Sequence, residues 1–365
     1  MKILQIGLSV VLFVAFCVPT FGETAPPVEG GRTVLDLPPV PDNPRNSEGD
    51  FVRLKNGDIL LAYSQYYGKS NSDHAPAFIA GRISHDNGET WGESFKILEK
   101  DGGLNLMSVS LLRLKDGRIA MFYLRKFSLL DNRPFVCFSS DEAKTWTKPQ
   151  PCILEDEVGY YVVNNSRVVE LSDGSVVIPC AHHTYNNRGG TNWSAEMVCY
   201  ISTDGCKTFQ RSGVAKNPDG SIFQEPGVME MEDGSLLMII RTNAGCQYLS
   251  RSKDGGRTWT TAEKSKFVSP LSPARISMMP GTNKIIAIWN ESPKERNPLT
   301  IATLTQDLEF IEKWTLDEAE AGVERRFCYP ALLPLGDGEY IASYCAGMRK
   351  NSGLDTLRVK KFKLK

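Results

Sequence analysis

One turn signal recurs along the chain, each time between two apolar runs: KNGDILLAY, KDGRIAMFY, SDGSVVIPC, EDGSLLMII, the degenerate MPGTNKIIAIW and GDGEYIASY. Its glycines are Gly57, Gly117, Gly174, Gly234, Gly281 and Gly338, and their spacing of roughly 57 residues is a propeller-blade period. An Asp-Gly or Asn-Gly pair flanked by β-branched and aromatic residues is the strongest short-range signal for a β-hairpin. No segment of helical period and length competes with it. A second signal alternates with the first: SHDNGETW from Ser84, SSDEAKTW from Ser139, STDGCKTF from Ser202 and SKDGGRTW from Ser252. Each follows the S-x-D-x-G-x-T-W pattern of an Asp-box, in which Asp and Ser or Thr side chains hold turn amides while the aromatic residue packs between blades. Ala143 and Cys206 replace the usual Gly in two copies, and TQDLEF from Thr305 is an eroded fifth.

Two repeats in phase predict an all-β fold: a six-bladed β-propeller with four strands per blade, formed as one domain by residues 23–365. Too little chain follows Gly338 to complete a blade. The missing outer strand is expected from residues 33–37, which would close the ring and cover its edge. Residues 1–22 read as a secretory signal peptide: Lys2, an uncharged and largely apolar run over 3–18, then Pro19 and a small-residue exit at Gly22. A secreted or periplasmic protein is therefore expected, monomeric and without stable membrane insertion after cleavage. Eight of the nine cysteines would remain; an oxidising compartment allows pairing, but sequence gives no connectivity. A content of 41% hydrophobic residues excludes disorder, and a net charge of −1 gives no field for a polyanion. Nucleic acid is not an expected partner.

Antiparallel alternation sorts residues onto rims. Both turn types lie on one rim, so the chain nine residues before each turn glycine is on the other. The occupants there are Glu48, Ser108, Asn165, Glu225, Ser272 and Tyr329, all polar. Seven to nine residues after the glycine the chain returns to that rim, bringing Ser64, Arg125, His182, His183, Arg241 and Asn290. A ring of polar groups at the narrow end of converging strands is a candidate pocket.

With these motifs in place, the sequence resembles the sialidase superfamily, whose exo-sialidases are six-bladed propellers with Asp-boxes. QEPGVMEMEDGSLLMIIR matches the family's Glu, Asp-Gly hairpin and Arg with Glu225 and Arg241; ERNPLTIATL supplies the next Arg, Arg296; CYPALLPLGDGEYIASY supplies the Tyr, Tyr329. The family's first Arg sits in F-R-I-P, replaced here by PRNSEGDFVRL. Arg45 is the assignment, because Arg53 lies only four residues before the turn glycine and so on the wrong rim. The acid/base Asp, upstream of the first Asp-box, corresponds to Asp73, with His74 its close rival. The family's Glu that braces the first Arg is absent, Tyr344-Cys345 standing there instead; Glu48, on the same rim, is the candidate substitute.

The resemblance implies a retaining exo-glycosidase acting on a terminal α-linked sialic acid or related carboxylated sugar of a glycan or glycoconjugate. Three arginines suit a sugar carboxylate, and a neutral Tyr nucleophile is not repelled by that charge as a carboxylate would be. Glu225 would serve Tyr329 as base, and Asp73 would protonate the leaving oxygen and later activate water. That scheme requires no metal or organic cofactor. Asn165, Arg167, His182, His183 and Trp193, in segments that match no general family motif, are candidate substrate contacts. They also suit two alternatives: a propeller polysaccharide lyase, which uses His and Tyr beside a uronate carboxylate, and a non-catalytic glycan-binding propeller.

Overall fold

The structure, a computed structural model, describes residues 25–364. The leader expected over residues 1–22 lies outside them. The architecture is all-β and propeller-like, with one short 3-10 turn, Arg349–Asn351, and no α-helix among the described residues. Four sheets have four antiparallel strands each, and their innermost strands are Asn46–Arg53, Phe223–Glu230, Arg275–Met278 and Cys328–Gly336. The fifth sheet has nine strands and contains two successive repeats. These separate sheets were expected to be two. They merge because the inner strand of the third repeat is broken into Tyr160–Val162 and Val169–Glu170, and its first piece bridges sideways in parallel, Tyr160 to Asn132.

Ring closure follows the expected route. Residues 33–37 belong to the strand Glu29–Leu37, which pairs antiparallel with Leu357–Lys363, Thr33 opposite Lys360 and Leu37 opposite Leu357. Apolar clusters fill the gaps between neighbouring sheets. Val52 and Leu60 meet Leu111 and Met121, and at the seam Phe51 and Tyr63 meet Ile341 and Val359. Alternation along each strand leaves one side chain in two for each gap, so the central strands of each sheet are buried on both faces.

The four complete Asp-boxes share one hydrogen-bond pattern. In the last, Ser252 Oγ accepts from the Gly256 amide at 2.9 Å, and Asp254 accepts from the Thr258 amide at 2.9 Å and its hydroxyl at 2.6 Å. Trp91, Trp146 and Trp259 then pack against clusters shared between neighbouring sheets. The pattern forces a left-handed residue at its fifth position, where Gly88 and Gly256 have φ of 84° and 88°. Ala143 and Cys206 hold the same conformation at 64° and 67° despite carrying a Cβ, which costs about 1–2 kcal/mol each. Ala143→Gly is expected to stabilise the protein by about 0.5–1 kcal/mol, the relieved strain being partly offset by a more flexible unfolded chain. Urea denaturation of the two proteins measures the difference.

Candidate active site

The inner strands do not run straight to the axis. Register shifts between Ser47 and Asp50, Met107 and Ser110, Gln224 and Gly227, and Cys328 and Ala331 mark a β-bulge at the same place in four repeats. At each bulge one residue takes a positive φ: Glu48, Ser108, Glu225 and Tyr329, at 52°, 60°, 40° and 57°. Non-glycine residues adopt this conformation only where surrounding structure enforces it, most often at functional sites. A bulge re-aims its side chain, and here it turns Glu48, Glu225 and Tyr329 from the inter-sheet gaps into a shared cavity of about 860 Å³.

All three expected arginines line that cavity, as do Asp73 and His183. Arg45 is 1% exposed. It donates to Ser47 Oγ at 2.8 Å, Glu48 Oε2 at 2.9 Å and Asp73 Oδ1 at 2.6 Å, and its guanidinium lies 4.4 Å above the ring of Tyr66. Glu48 therefore braces the first Arg, in the role left open by Cys345. Arg241 is paired with Glu225 and lies 3.4 Å from the Tyr329 hydroxyl, which donates to Glu225 Oε1 at 3.0 Å. Arg296 donates to the Leu271 carbonyl at 2.9 Å and lies 5.9 Å from the centre of the Tyr329 ring. Arg53 bonds Gly57 and Asn87 on the turn rim, away from the cavity.

The electrostatics divide the acids and bases. Burial pushes the Tyr329 phenol well above its ordinary value, and the Glu225 carboxylate pushes the same way, against Arg241 and Arg296. Desolvation would raise Asp73, but the charge and hydrogen bond of Arg45, together with Lys126, hold the carboxyl below its usual range. The Asp73 loop is anchored through its main chain: the Asp73 carbonyl accepts from Asn105 Nδ2 and Lys126 Nζ, both at 2.9 Å. Asp73 itself is exposed at the mouth. Among the described residues, no three His, Cys, Asp or Glu side chains are grouped so as to hold a metal ion.

Three expected contacts are not at the cavity. Asn165 is fully buried and donates across the axis to the carbonyls of Gly49 and Tyr329 at 2.8 and 3.1 Å. Arg167 lies behind it, bonded to the carbonyls of Asn165 and Pro330 at 2.9 and 3.0 Å. Both are corrections with one cause. In the broken third inner strand the left-handed residue is Ser166, at φ 56°, one position later than the repeat predicts, so Asn165 turns inward instead of toward the mouth. His182 also misses the cavity, stacking on Tyr161 at 4.5 Å. His183 reaches it, 7% exposed, with Nδ1 donating to the Asn192 carbonyl at 2.8 Å and burial lowering its basicity. Trp193 stands exposed on the rim of the cavity.

Lys126 was missed. It is 1% exposed and lines the cavity, in a row of registered neighbours running Asn105, Lys126, Asn132, Tyr160, His183 across five strands. Parity was the available signal. Arg241, His183 and Lys126 lie seven, nine and nine residues after their turn glycines, whereas Arg125 and His182 lie eight after theirs and face the other way. Arg125 accordingly pairs with Asp101 at 2.9 Å.

With this geometry in view, the comparisons with known proteins fit. Residues 62–341 match the BNR repeat-like domain, and the chain belongs to that family, within the sialidase and BNR-repeat superfamily. A sialidase of Bacteroides fragilis is 26% identical over 155 residues, 39% of this chain and 25% of that protein; the match thus spans about a quarter of the relative's length. A Dyadobacter fermentans protein of unknown function superposes with a TM-score of 0.73 at 20% identity, covering 92% of this chain and 100% of its own. The Hadza microbial sialidase Hz136 gives 0.72 at 17% identity, covering 88% of this chain and 66% of that one. At such identities the structural likeness speaks for the fold.

Burying the Lys126 ammonium lowers its pKa to about 8. Below that pH, folded and unfolded chains both carry the charge and folding bears the full desolvation cost. Between about 8 and the ordinary lysine value near 10, only the unfolded chain binds the proton, so stability rises with pH. Lys126→Met is therefore expected to be more stable than the parent by about 2 kcal/mol at pH 7. The difference should vanish toward about pH 10, read from urea denaturation across the pH range.

Proposed function

We propose that this protein is a secreted, exo-acting glycoside hydrolase that removes a terminal α-linked sialic acid, or a closely related carboxylated sugar, with retention of configuration. The observation that carries the reading is the Arg241–Glu225–Tyr329 cluster, in the same cavity as Arg45 and Arg296. The fold is read as six-bladed, the nine-stranded sheet counting as two blades. Six apolar clusters between successive repeats support that count. In this reading residues 1–22 are removed on export and residues 23–365 act as one propeller, monomeric, with a glycan as its partner.

The substrate carboxylate would take the guanidinium donors of Arg45, Arg241 and Arg296, setting the anomeric carbon against the Tyr329 oxygen. Tyr329 is a poor nucleophile at its raised pKa, and Glu225, already accepting its hydrogen bond, receives the proton as the bond to carbon forms. Asp73 supplies the leaving oxygen's proton. In the free protein it is ionised against Arg45; a substrate carboxylate arriving on Arg45 would weaken that pairing, and the bound sugar would cover the exposed Asp73 and favour its protonated form. The same Asp73 would next activate water to open the glycosyl-tyrosine intermediate. The His183–Tyr160 contact, an edge-on pair at 5.8 Å in the same cavity, supports a second reading as a uronate lyase.

Release of free acid from an aryl α-sialoside, with no rise in ultraviolet absorbance on uronate polysaccharides, is the expected result. The reverse outcome favours the lyase, and retention on a glycan array without turnover favours a binding propeller. Tyr329→Phe is expected to lower kcat by at least about a thousandfold, as loss of a covalent nucleophile does. Arg241→Lys should act mainly on KM, raising it about tenfold through loss of the planar fork. Steady-state kinetics separate the two, and a Tyr329→Phe variant with parental kcat would rule out the tyrosine mechanism.

A further inference from the structure

Behind the plug formed by Asn165, Ser166 and Arg167, a second cavity of about 420 Å³ runs along the axis toward the turn rim. Arg167 stands at its inner end and is 3% exposed. Only Nη1 of its guanidinium is used, on main-chain carbonyls; Nε and Nη2 have no hydrogen-bond partner. Such a group, buried with two donors idle, is costly unless something in the cavity accepts from them.

The surroundings show which kind of acceptor is missing. Arg275 lines the same cavity and donates through Nε to Ser166 Oγ at 3.3 Å. The one carboxylate at this depth, Asp50, spends an oxygen on each of the Phe51 and Leu111 amides, at 2.9 and 2.8 Å. It attracts Arg275 without being hydrogen-bonded to either guanidinium. Glu170 and Glu230 line the outer part, where they accept from the main-chain amides of Lys115 and Ser172 on neighbouring turns. The inner end therefore holds two guanidinium groups against one carboxylate. Water would satisfy the idle N–H groups and leave that charge excess in place. Burial and the charge of Arg275 accordingly depress Arg167 to about 9. The backbone makes room at this spot: a Cβ on Gly227 would come within 3.1 Å of Arg167 Cδ.

We propose that the central channel holds a binding site for a small monovalent inorganic anion, chloride in practice, formed by Nε and Nη2 of Arg167 with Arg275 opposite. The site is distinct from the substrate cavity and independent of the reaction performed there. It is mechanically joined to it, because Arg167 Nη1 holds the Pro330 carbonyl and Asn165 Nδ2 holds that of Tyr329. An occupied channel fixes the guanidinium that ties down the strand of the proposed nucleophile.

The test uses the full-length protein purified free of halide. Crystals grown in sodium bromide should show an anomalous peak beside Arg167 Nε and Nη2. In solution, folding stability should rise saturably with sodium chloride relative to sodium gluconate at equal ionic strength. The folding equilibrium shifts about elevenfold at ten times the dissociation constant. Sodium sulfate at matched ionic strength should give only the unsaturating rise of an excluded salt, without the saturable component, since a divalent anion overcompensates a single excess charge. Arg275→Gln, less buried than Arg167, should fold and lose the chloride dependence; Arg275→Lys should retain part of it. No anomalous peak, or equal responses to chloride and gluconate in the parent protein, would show that the channel holds only water. A peak without a solution effect would reduce the site to an adventitious ion and overturn the proposal.

Discussion

A strand that converges with others on a common axis has to surrender its regular pleat before it arrives, or its polar side chains end up in the gaps between sheets. In this protein the surrender is a β-bulge with a left-handed residue, repeated at Glu48, Ser108, Glu225 and Tyr329. Each such residue costs of order 1–3 kcal/mol, and the apolar packing on both sides of every sheet is what holds it. The cavity depends on this geometry. Without the bulge at Tyr329 the phenol would lie in an inter-sheet gap, and the contact with Glu225 and Arg241 would not form.

The bulges also explain how much could be read from the sequence. The repeats of Asp-Gly turns and Asp-boxes fix the strand order, the closure by residues 33–37 and the rim on which Glu48, Glu225 and Tyr329 lie, because alternation along a strand depends only on counting. Arg45, Arg241, Arg296 and Asp73 were found by resemblance, and the cavity gathers all four. The count failed at Asn165 and Arg167, where the left-handed turn slips by one residue to Ser166. Nothing in YYVVNNSRVVEL announces that slip: Asn tolerates the left-handed conformation better than Ser, so local preference pointed to Asn165 and tertiary packing overrode it. The same break lets Tyr160 reach Asn132, which is why two expected sheets are one.

Lys126 shows a different limit. Its position was countable, yet its importance was not, because a lysine near a strand end is ordinarily solvated with its ammonium in water. Here the Asp73 loop folds over it and the amine becomes part of the cavity wall. A buried ammonium reduces stability, and a site that gathers four guanidinium groups, two ammonium groups and three carboxylates in one concavity concentrates such costs where chemistry needs fixed charges rather than mobile water.

The seam of the ring has a bearing on biogenesis. Among the described strands Glu29–Leu37 pairs with Leu357–Lys363 alone, so an early-emerging segment must wait for its docking site until that much later strand is made. Its composition suits the wait. Glu29, Arg32 and Asp36 interrupt its apolar residues, which discourages premature pairing with the edges of nascent sheets. Their later partners, Glu89 for Arg32 and Arg358 for Asp36, then convert a solubilising pattern into a latch across the seam.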